Sequence, residues 1–123
     1  GQMAPAARIG FQVKFVELAS DTWAIGGRLV SDLSPSPDVM NIDIAVMSAS
    51  WPQDVRNQVL KNVFQALTEA LGLAQPSPTW WITFRIIDEG SWGSRGGVLS
   101  ILDLLGTGVF SEARAAEIRQ SFQ

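Results

Sequence analysis

Residues 41–88 decide the fold, and they read NIDIAVMSASWPQDVRNQVLKNVFQALTEALGLAQPSPTWWITFRIID. In the first part Ile42, Ile44 and Val46 alternate with polar or small neighbours, which predicts a half-buried strand. A second alternating run covers 80–88 and predicts another strand of the same kind. The two strands are far enough apart in sequence to leave room for a crossover helix between them.

An amphipathic helix is predicted in that interval. Ser50 and Gln53 have the spacing of a capping box, and apolar residues recur at four-residue steps from Val55 to Leu71. Gly72 follows as the residue type that commonly ends a helix. A strand, a helix and a strand in this order form a βαβ unit, in which the right-handed crossover makes the two strands parallel.

The flanking segments are predicted to add a strand and a helix. Residues 8–18 alternate, with Ile9 and Phe11 among the apolar positions, and this pattern predicts a half-buried strand. The apolar stretch 98–105 is ambiguous between a strand and a short helix. Ser111 is predicted to cap a final helix that runs to about residue 122.

These patterns predict one α+β domain, with βαβ units and a mixed sheet packed by two helices. The expected parts are a disordered or tag-derived start (1–7), a strand plus a Gly-Gly hairpin (8–33), a linker (34–38), a complete βαβ-hairpin unit (39–97) and a C-terminal helical segment (98–123).

Composition excludes several kinds of chemistry. The 123 residues include no Cys and no His, so thiolate nucleophiles, imidazole bases, disulfides and the usual zinc sites are excluded. We therefore expect no metal and no cofactor. The net charge of −3, without clustered Lys or Arg, argues against a nucleic-acid partner. No run approaches the ~20 apolar residues of a spanning helix, so we expect no membrane partner and a cytoplasmic location.

The two halves of the chain share a partial repeat. Each copy contains a strand, an acidic residue, a tryptophan and a Gly-Gly pair. The first copy carries Trp23 with Gly26-Gly27, and the second carries Trp92 with Gly96-Gly97. Aligned on Gly-Gly, the second copy has one extra residue after its tryptophan.

At these residues the chain resembles the tautomerase superfamily, which includes 4-oxalocrotonate tautomerase and macrophage migration inhibitory factor. That family builds its subunits from βαβ units, each ending in a hairpin that packs on a neighbouring subunit. The resemblance implies a homo-oligomer, with a trimer favoured and a dimer as the alternative. It also implies that four hairpin residues lie at the subunit interface, namely Trp23, Gly26, Gly27 and Trp92.

The catalytic residue of the family has no counterpart. Family catalysis generally uses an amino-terminal proline, whose free secondary amine acts as base or nucleophile. Here Pro5, Pro35 and Pro37 are internal tertiary amides without a basic lone pair. The first copy also lacks an opening strand and helix, and a permuted arrangement would restore it by packing 98–122 beside the strand 8–18.

Two arginines are candidates for holding an anion. The family typically uses arginines around its pocket to hold carboxylates, and Arg85 with Arg95 could do so beside backbone N–H groups of the glycine loop. The alternative is an ordinary ion pair of Arg85 with Asp43 or Glu17. The candidate ligand-binding set is Arg85, Arg95, Trp81, Trp92, Gly96 and Gly97.

Three carboxylates are the candidates for acid-base chemistry. They are Asp88, Glu89 and Asp43, and the alternative for the first two is to end a strand and hydrogen-bond a turn. Three functions therefore remain open. The chain is a tautomerase-like domain that binds a small anionic or aromatic molecule at a subunit interface, a diverged isomerase or hydratase, or a structural oligomer without a ligand.

Overall fold

The computed structural model describes residues 5–123, and it is a mixed α+β fold, as the sequence predicts. Three short 3₁₀ turns, Ser20–Thr22, Val30–Asp32 and Ile101–Leu104, connect its elements. In chain order the helices and strands are α1 (Pro5–Arg8), β1 (Ala24–Ile25), β2 (Arg28–Leu29), β3 (Met40–Met47), α2 (Gln53–Ala70), β4 (Trp80–Ile87), β5 (Gly93–Ser94), β6 (Gly97–Val98) and α3 (Glu112–Ser121).

The parallel pair β3–β4 is confirmed. Its register runs without a break from Met40 opposite Trp80 to Met47 opposite Ile87. Alternate residues are shielded or exposed, and this defines two faces. The inner face consists of Met40, Ile42, Ile44, Val46, Trp80, Ile82 and Phe84, and the outer face of Asn41, Asp43, Ala45, Trp81, Thr83 and Arg85.

The helix α2 ends as predicted but begins later. Gly72 adopts φ 66° and donates to the Glu69 carbonyl, while Leu73 N–H donates to the Thr68 carbonyl, so the helix ends in a Schellman motif. At the other end Pro52 is the N-cap and no side chain caps the helix. The predicted Ser50–Gln53 capping box is therefore wrong, because a start at Gln53 leaves Ser50 two residues outside the cap.

The predicted mixed sheet is not formed within residues 5–123. Three separate two-stranded sheets are present instead, namely β3–β4 and the hairpins β1–β2 and β5–β6. The segment 8–18, predicted as a half-buried strand, has no strand pairing, and its large apolar residues are 55–93% exposed. The alternating pattern is present in the sequence, but the single chain provides neither a partner strand nor an apolar cover for it.

Both ends of the chain also differ from expectation. Of the predicted disordered or tag-derived start, residues 1–4 lie outside the described residues, and Pro5–Arg8 form one helical turn. The stretch 98–105 becomes the end of a hairpin followed by a 3₁₀ turn. Ser111 caps α3 as predicted, since its Oγ accepts from the Arg114 N–H at 3.2 Å.

The helix α3 packs against the loop that joins β3 to α2. Arg114 donates a hydrogen bond to the carbonyl of Ser50, and its guanidinium lies over the ring of Trp51. The apolar residues of 8–18 are exposed, so α3 does not cover that segment as the permuted arrangement required. In the described range, no helix combines the length and the apolar character needed to cross a bilayer.

The core of the single chain is small. The buried apolar residues of the described range are Val30, Trp80, Ile101, Ala115 and Ile118, of which only Ile118 is fully shielded. The chain exposes 9222 Å², whereas a compact monomer of 13.3 kDa exposes about 6,500 Å². A large part of the surface that a domain of this size normally buries is therefore left open.

Candidate functional site

The two hairpins of the repeat have the same length. The N–H of Val30 donates to the carbonyl of Trp23 at 2.8 Å, and the N–H of Leu99 donates to the carbonyl of Trp92 at 2.9 Å. Each hairpin therefore closes seven residues after its tryptophan. The apparent extra residue in the second copy is not an insertion, because the copies align on tryptophan and not on the Gly-Gly pair.

This alignment places different residues at the two turns. The central residues are Gly26 and Gly27 in the first hairpin, with φ of 60° and 78°, and Arg95 and Gly96 in the second, with φ of 54° and 81°. Positive φ at both positions is the type I′ geometry that suits a two-residue hairpin.

The turns that precede the two hairpins also correspond. The N–H of Thr22 donates to the Ala19 carbonyl at 2.9 Å, and the N–H of Ser91 donates to the Asp88 carbonyl at 3.0 Å. In both copies the donor immediately precedes the tryptophan. When the two copies are aligned on their tryptophans, the segment 9–18 of the first copy corresponds in sequence to the strand β4 of the second. The inner-face residues Trp80, Ile82 and Phe84 then correspond to Phe11, Val13 and Phe15.

Arg95 is the candidate ligand residue with the most distinctive geometry. It is the one residue other than glycine in the described range with a positive φ, 54°. Its side chain forms no ion pair or hydrogen bond with the described residues, and it is exposed beside Gly96 and Gly97. A non-glycine residue held in this region costs conformational energy, which makes the position a candidate for function. The hairpin therefore presents an unpaired cation at its tip.

Arg85 forms an ion pair with Asp43, which is the alternative that the sequence predicts for it. Its Nε lies 3.3 Å from Oδ1 of Asp43 across the two parallel strands, and both side chains are more than half exposed. An exposed pair of this kind contributes between 0 and about 1 kcal/mol. The pair occupies the outer face of the sheet, and it gives Asp43 a structural partner.

The tryptophans named as ligand or interface residues differ in exposure. Trp81 is 71% exposed on the outer face, whereas Trp23 and Trp92 are half-buried at the bases of their hairpins. A large aromatic side chain left in water is costly, and such residues are enriched at interfaces. Trp81 is thus the most accessible aromatic residue on the outer face.

The candidate carboxylates of the loop after β4 differ in their contacts. Asp88 is exposed, and its carbonyl serves the turn to Ser91. Glu89 accepts a hydrogen bond from the N–H of Ile101 at 3.2 Å, so its carboxylate links the loop after β4 to the 3₁₀ turn Ile101–Leu104. Within the described part of the chain, no group of three or more acidic residues is arranged to hold a metal ion.

Known proteins offer no guide to this arrangement. Comparison with protein families, with curated proteins and with solved structures gives no match. A function for the chain must therefore rest on its own site geometry and surface.

Two depressions among the described residues are open and shallow, and they lie away from the candidate ligand residues. One, of about 330 Å³, lies beside the first hairpin and is lined by Arg28, Asp32 and Pro35 among others. Another, of about 270 Å³, lies between Ser50 and the end of α3. Ligand pockets are usually enclosed, and neither depression contains Arg85, Arg95 or Trp92.

One cluster was not predicted from the sequence. The indole Nε1 of Trp51 donates a hydrogen bond to the Met47 carbonyl at 3.1 Å. The rings of Trp51 and Phe84 are arranged edge to face, with their centroids 5.3 Å apart. The guanidinium of Arg114 lies 5.3 Å from the centroid of the Trp51 ring. The sequence signal was the tryptophan beside the proline at the start of α2, but the cation that covers it comes from the far end of the chain.

Proposed function

We propose that this chain is a subunit of a homo-oligomer, resembling the tautomerases but without their terminal proline, and that it binds a small organic anion at a site completed by a neighbouring subunit. The observation that carries the assembly is the excess of exposed surface. The single chain exposes 9222 Å², which exceeds the ~6,500 Å² of a compact monomer by at least the ~1,000–2,500 Å² that each partner buries in an obligate interface.

The distribution of that surface also supports assembly. Exposed apolar residues are concentrated in the segment 9–18, and Trp81 adds an exposed ring on the outer face of the sheet. Monomeric proteins rarely expose contiguous apolar patches of this size. Both regions become buried if subunits associate through them.

Arg95 and its surroundings support the binding of an anion. A guanidinium offers five N–H donors in a planar fork, which suits a carboxylate. Arg95 has this fork available at the tip of the second hairpin, next to two glycines and close in sequence to Trp92. The shallow depressions of the single chain do not enclose a ligand, so the remaining wall would come from another subunit.

The competing functions are less well supported. A diverged isomerase or hydratase needs a carboxylate beside an arginine in an enclosed site. Asp43 is paired in the open, and Glu89 bonds a backbone N–H. A structural oligomer without a ligand shares the assembly argument and leaves Arg95 unexplained.

Light scattering and a thermal-shift screen test the two parts separately. We expect an oligomer, a trimer or a dimer, at micromolar concentration, and a rise in melting temperature with small keto or unsaturated acids, because ligand binding stabilises the folded state. The rise should disappear in Arg95→Ala and persist in Arg119→Ala, a control on the exposed side of α3. A monomer contradicts the assembly, and an oligomer without any shift supports the structural alternative.

A further inference from the structure

We propose that the segment 9–18 of one copy adds as an antiparallel strand to the edge of β3 in a second copy. This inference rests on the proposed assembly and specifies its contact. The segment and the strand edge both combine backbone hydrogen-bonding capacity with adjacent apolar side chains.

The segment has the surface of a strand and no partner. Its six large apolar residues, Ile9, Phe11, Val13, Phe15, Val16 and Leu18, are 55–93% exposed. Within residues 5–123, the backbone groups of 12–18 form no backbone hydrogen bonds. Unpaired backbone groups beside exposed apolar side chains favour the addition of the segment to a sheet edge.

The strand β3 offers the corresponding edge. Over the described range it pairs with β4 alone, so its other side carries no strand. Two strands about 4.8 Å apart form a sheet narrower than the roughly 10–12 Å diameter of a helix. The apolar residues Val55, Val59 and Val63 of α2 are half-buried, and a third strand would widen the sheet.

Alternation and charge select the register. With Lys14 opposite Asp43 in an antiparallel pair, Phe11, Val13 and Phe15 meet three inner-face residues of β3. Lys14 then lies on the outer face beside a carboxylate. The inner face is apolar from position 11 to position 15, and Glu17 falls opposite Met40, the first residue of β3. The apolar pairs are Phe11 with Val46, Val13 with Ile44, and Phe15 with Ile42.

The other arrangements are less favourable. The free edge of β4 carries no carboxylate, so it offers Lys14 no ion-pair partner within the strand. A parallel strand with Lys14 opposite Asp43 would instead place Glu17 opposite Val46, inside the strand and not at its first residue. Antiparallel pairs are also the commoner type.

We assign the added strand to a second copy, because within one chain the segment 9–18 does not pair with the chain's own sheet. The exposed apolar side chains of the segment, together with its unpaired backbone, offer a surface of the order of the ~800 Å² that each partner contributes to a standard interface. Every copy both donates a segment and accepts one, so a closed dimer or trimer satisfies all of them.

Cysteine cross-linking tests the contact, because the chain contains no cysteine of its own. Lys14→Cys and Asp43→Cys are made as separate variants, mixed and oxidised, and the joined peptides are identified by mass spectrometry. Both sites are exposed, and melting curves check that each variant folds. We expect a covalent dimer of the two variants, since directly opposed residues of neighbouring strands lie within disulfide range.

Two further mixtures test the register and the direction. Gln12→Cys with Ala45→Cys should cross-link as readily, because these residues are also opposed in the antiparallel register. Gln12→Cys with Asn41→Cys should react several-fold less, although the parallel register would place that pair together.

Each remaining outcome has a definite meaning. An oligomer without the link between positions 14 and 43 overturns this contact and leaves the proposed assembly intact. A monomeric wild-type chain overturns both. If the double variant Lys14→Cys/Asp43→Cys forms its disulfide within one monomeric chain, the segment docks on its own sheet and the second copy is the wrong occupant.

Discussion

Arg114 covers the ring of Trp51, with its guanidinium carbon 5.3 Å from the ring centroid, and donates to the carbonyl of the preceding Ser50. These contacts hold α3 against the loop that starts α2. Arg114→Ala removes a cation–π contact and a charge-assisted hydrogen bond, and we expect it to lower the free energy of unfolding by about 1–2 kcal/mol. Chemical denaturation measures the change.

A matched control lies on the same helix. Arg119 is exposed, and Arg119→Ala should change the free energy of unfolding by less than about 0.5 kcal/mol. Equal effects of the two substitutions would show that the cost comes from the helix itself and not from the contact with Trp51.

Glu89 joins the loop after β4 to the 3₁₀ turn through the N–H of Ile101, a residue that is 2% exposed. Glu89→Ala leaves this donor without its acceptor, and we expect a loss of about 1–2 kcal/mol in the free energy of unfolding. Glu89→Gln retains an oxygen acceptor and should cost less. Asp88→Ala, at an exposed neighbouring side chain, is the control, and a larger loss there would contradict the structural role assigned to Glu89.

The β3–α2–β4 unit was predictable from sequence because its signals are local. Alternation over 41–47 and 80–88 determines which side chains share a face, and the four-residue recurrence after Val55 determines the helix. The start of α2 was misplaced because Pro52 occupies the N-cap itself, which moves the first helical residue beyond the reach of Ser50.

The candidate site was harder to predict for two physical reasons. The Gly-Gly pair marks the turn of the first hairpin, but in the second hairpin Arg95 takes a conformation usually left to glycine. Aligning the copies on glycine therefore shifted the second turn by one residue. Alternation over 8–18 indicates a strand, but no local pattern reveals whether its partner lies in the same chain.

Arg85 and Asp43 form an exposed ion pair, and its removal should have little effect. Arg85→Ala and Asp43→Asn are each expected to change the free energy of unfolding by less than about 1 kcal/mol, because water screens the pair. A double-mutant cycle measured by urea denaturation gives the coupling between the two side chains. A coupling well above that value would mean that the pair is covered, as it would be beneath a neighbouring subunit.

Arg95 allows stability and binding to be separated in one residue. Asn tolerates positive φ better than Arg does, and Asn-Gly is the favoured sequence for a type I′ turn. We therefore expect Arg95→Asn to raise the free energy of unfolding by about 0.5 kcal/mol while abolishing the thermal shift with small organic acids.

Gly96→Ala, at φ 81°, should instead destabilise the hairpin, and Gly97→Ala, where an added Cβ meets nothing within 4 Å, should be nearly neutral. If Arg95→Asn stabilises the fold and the thermal shift persists, the arginine does not bind the anion. If the substitution destabilises the fold, the arginine side chain makes contacts that only an assembled subunit would provide.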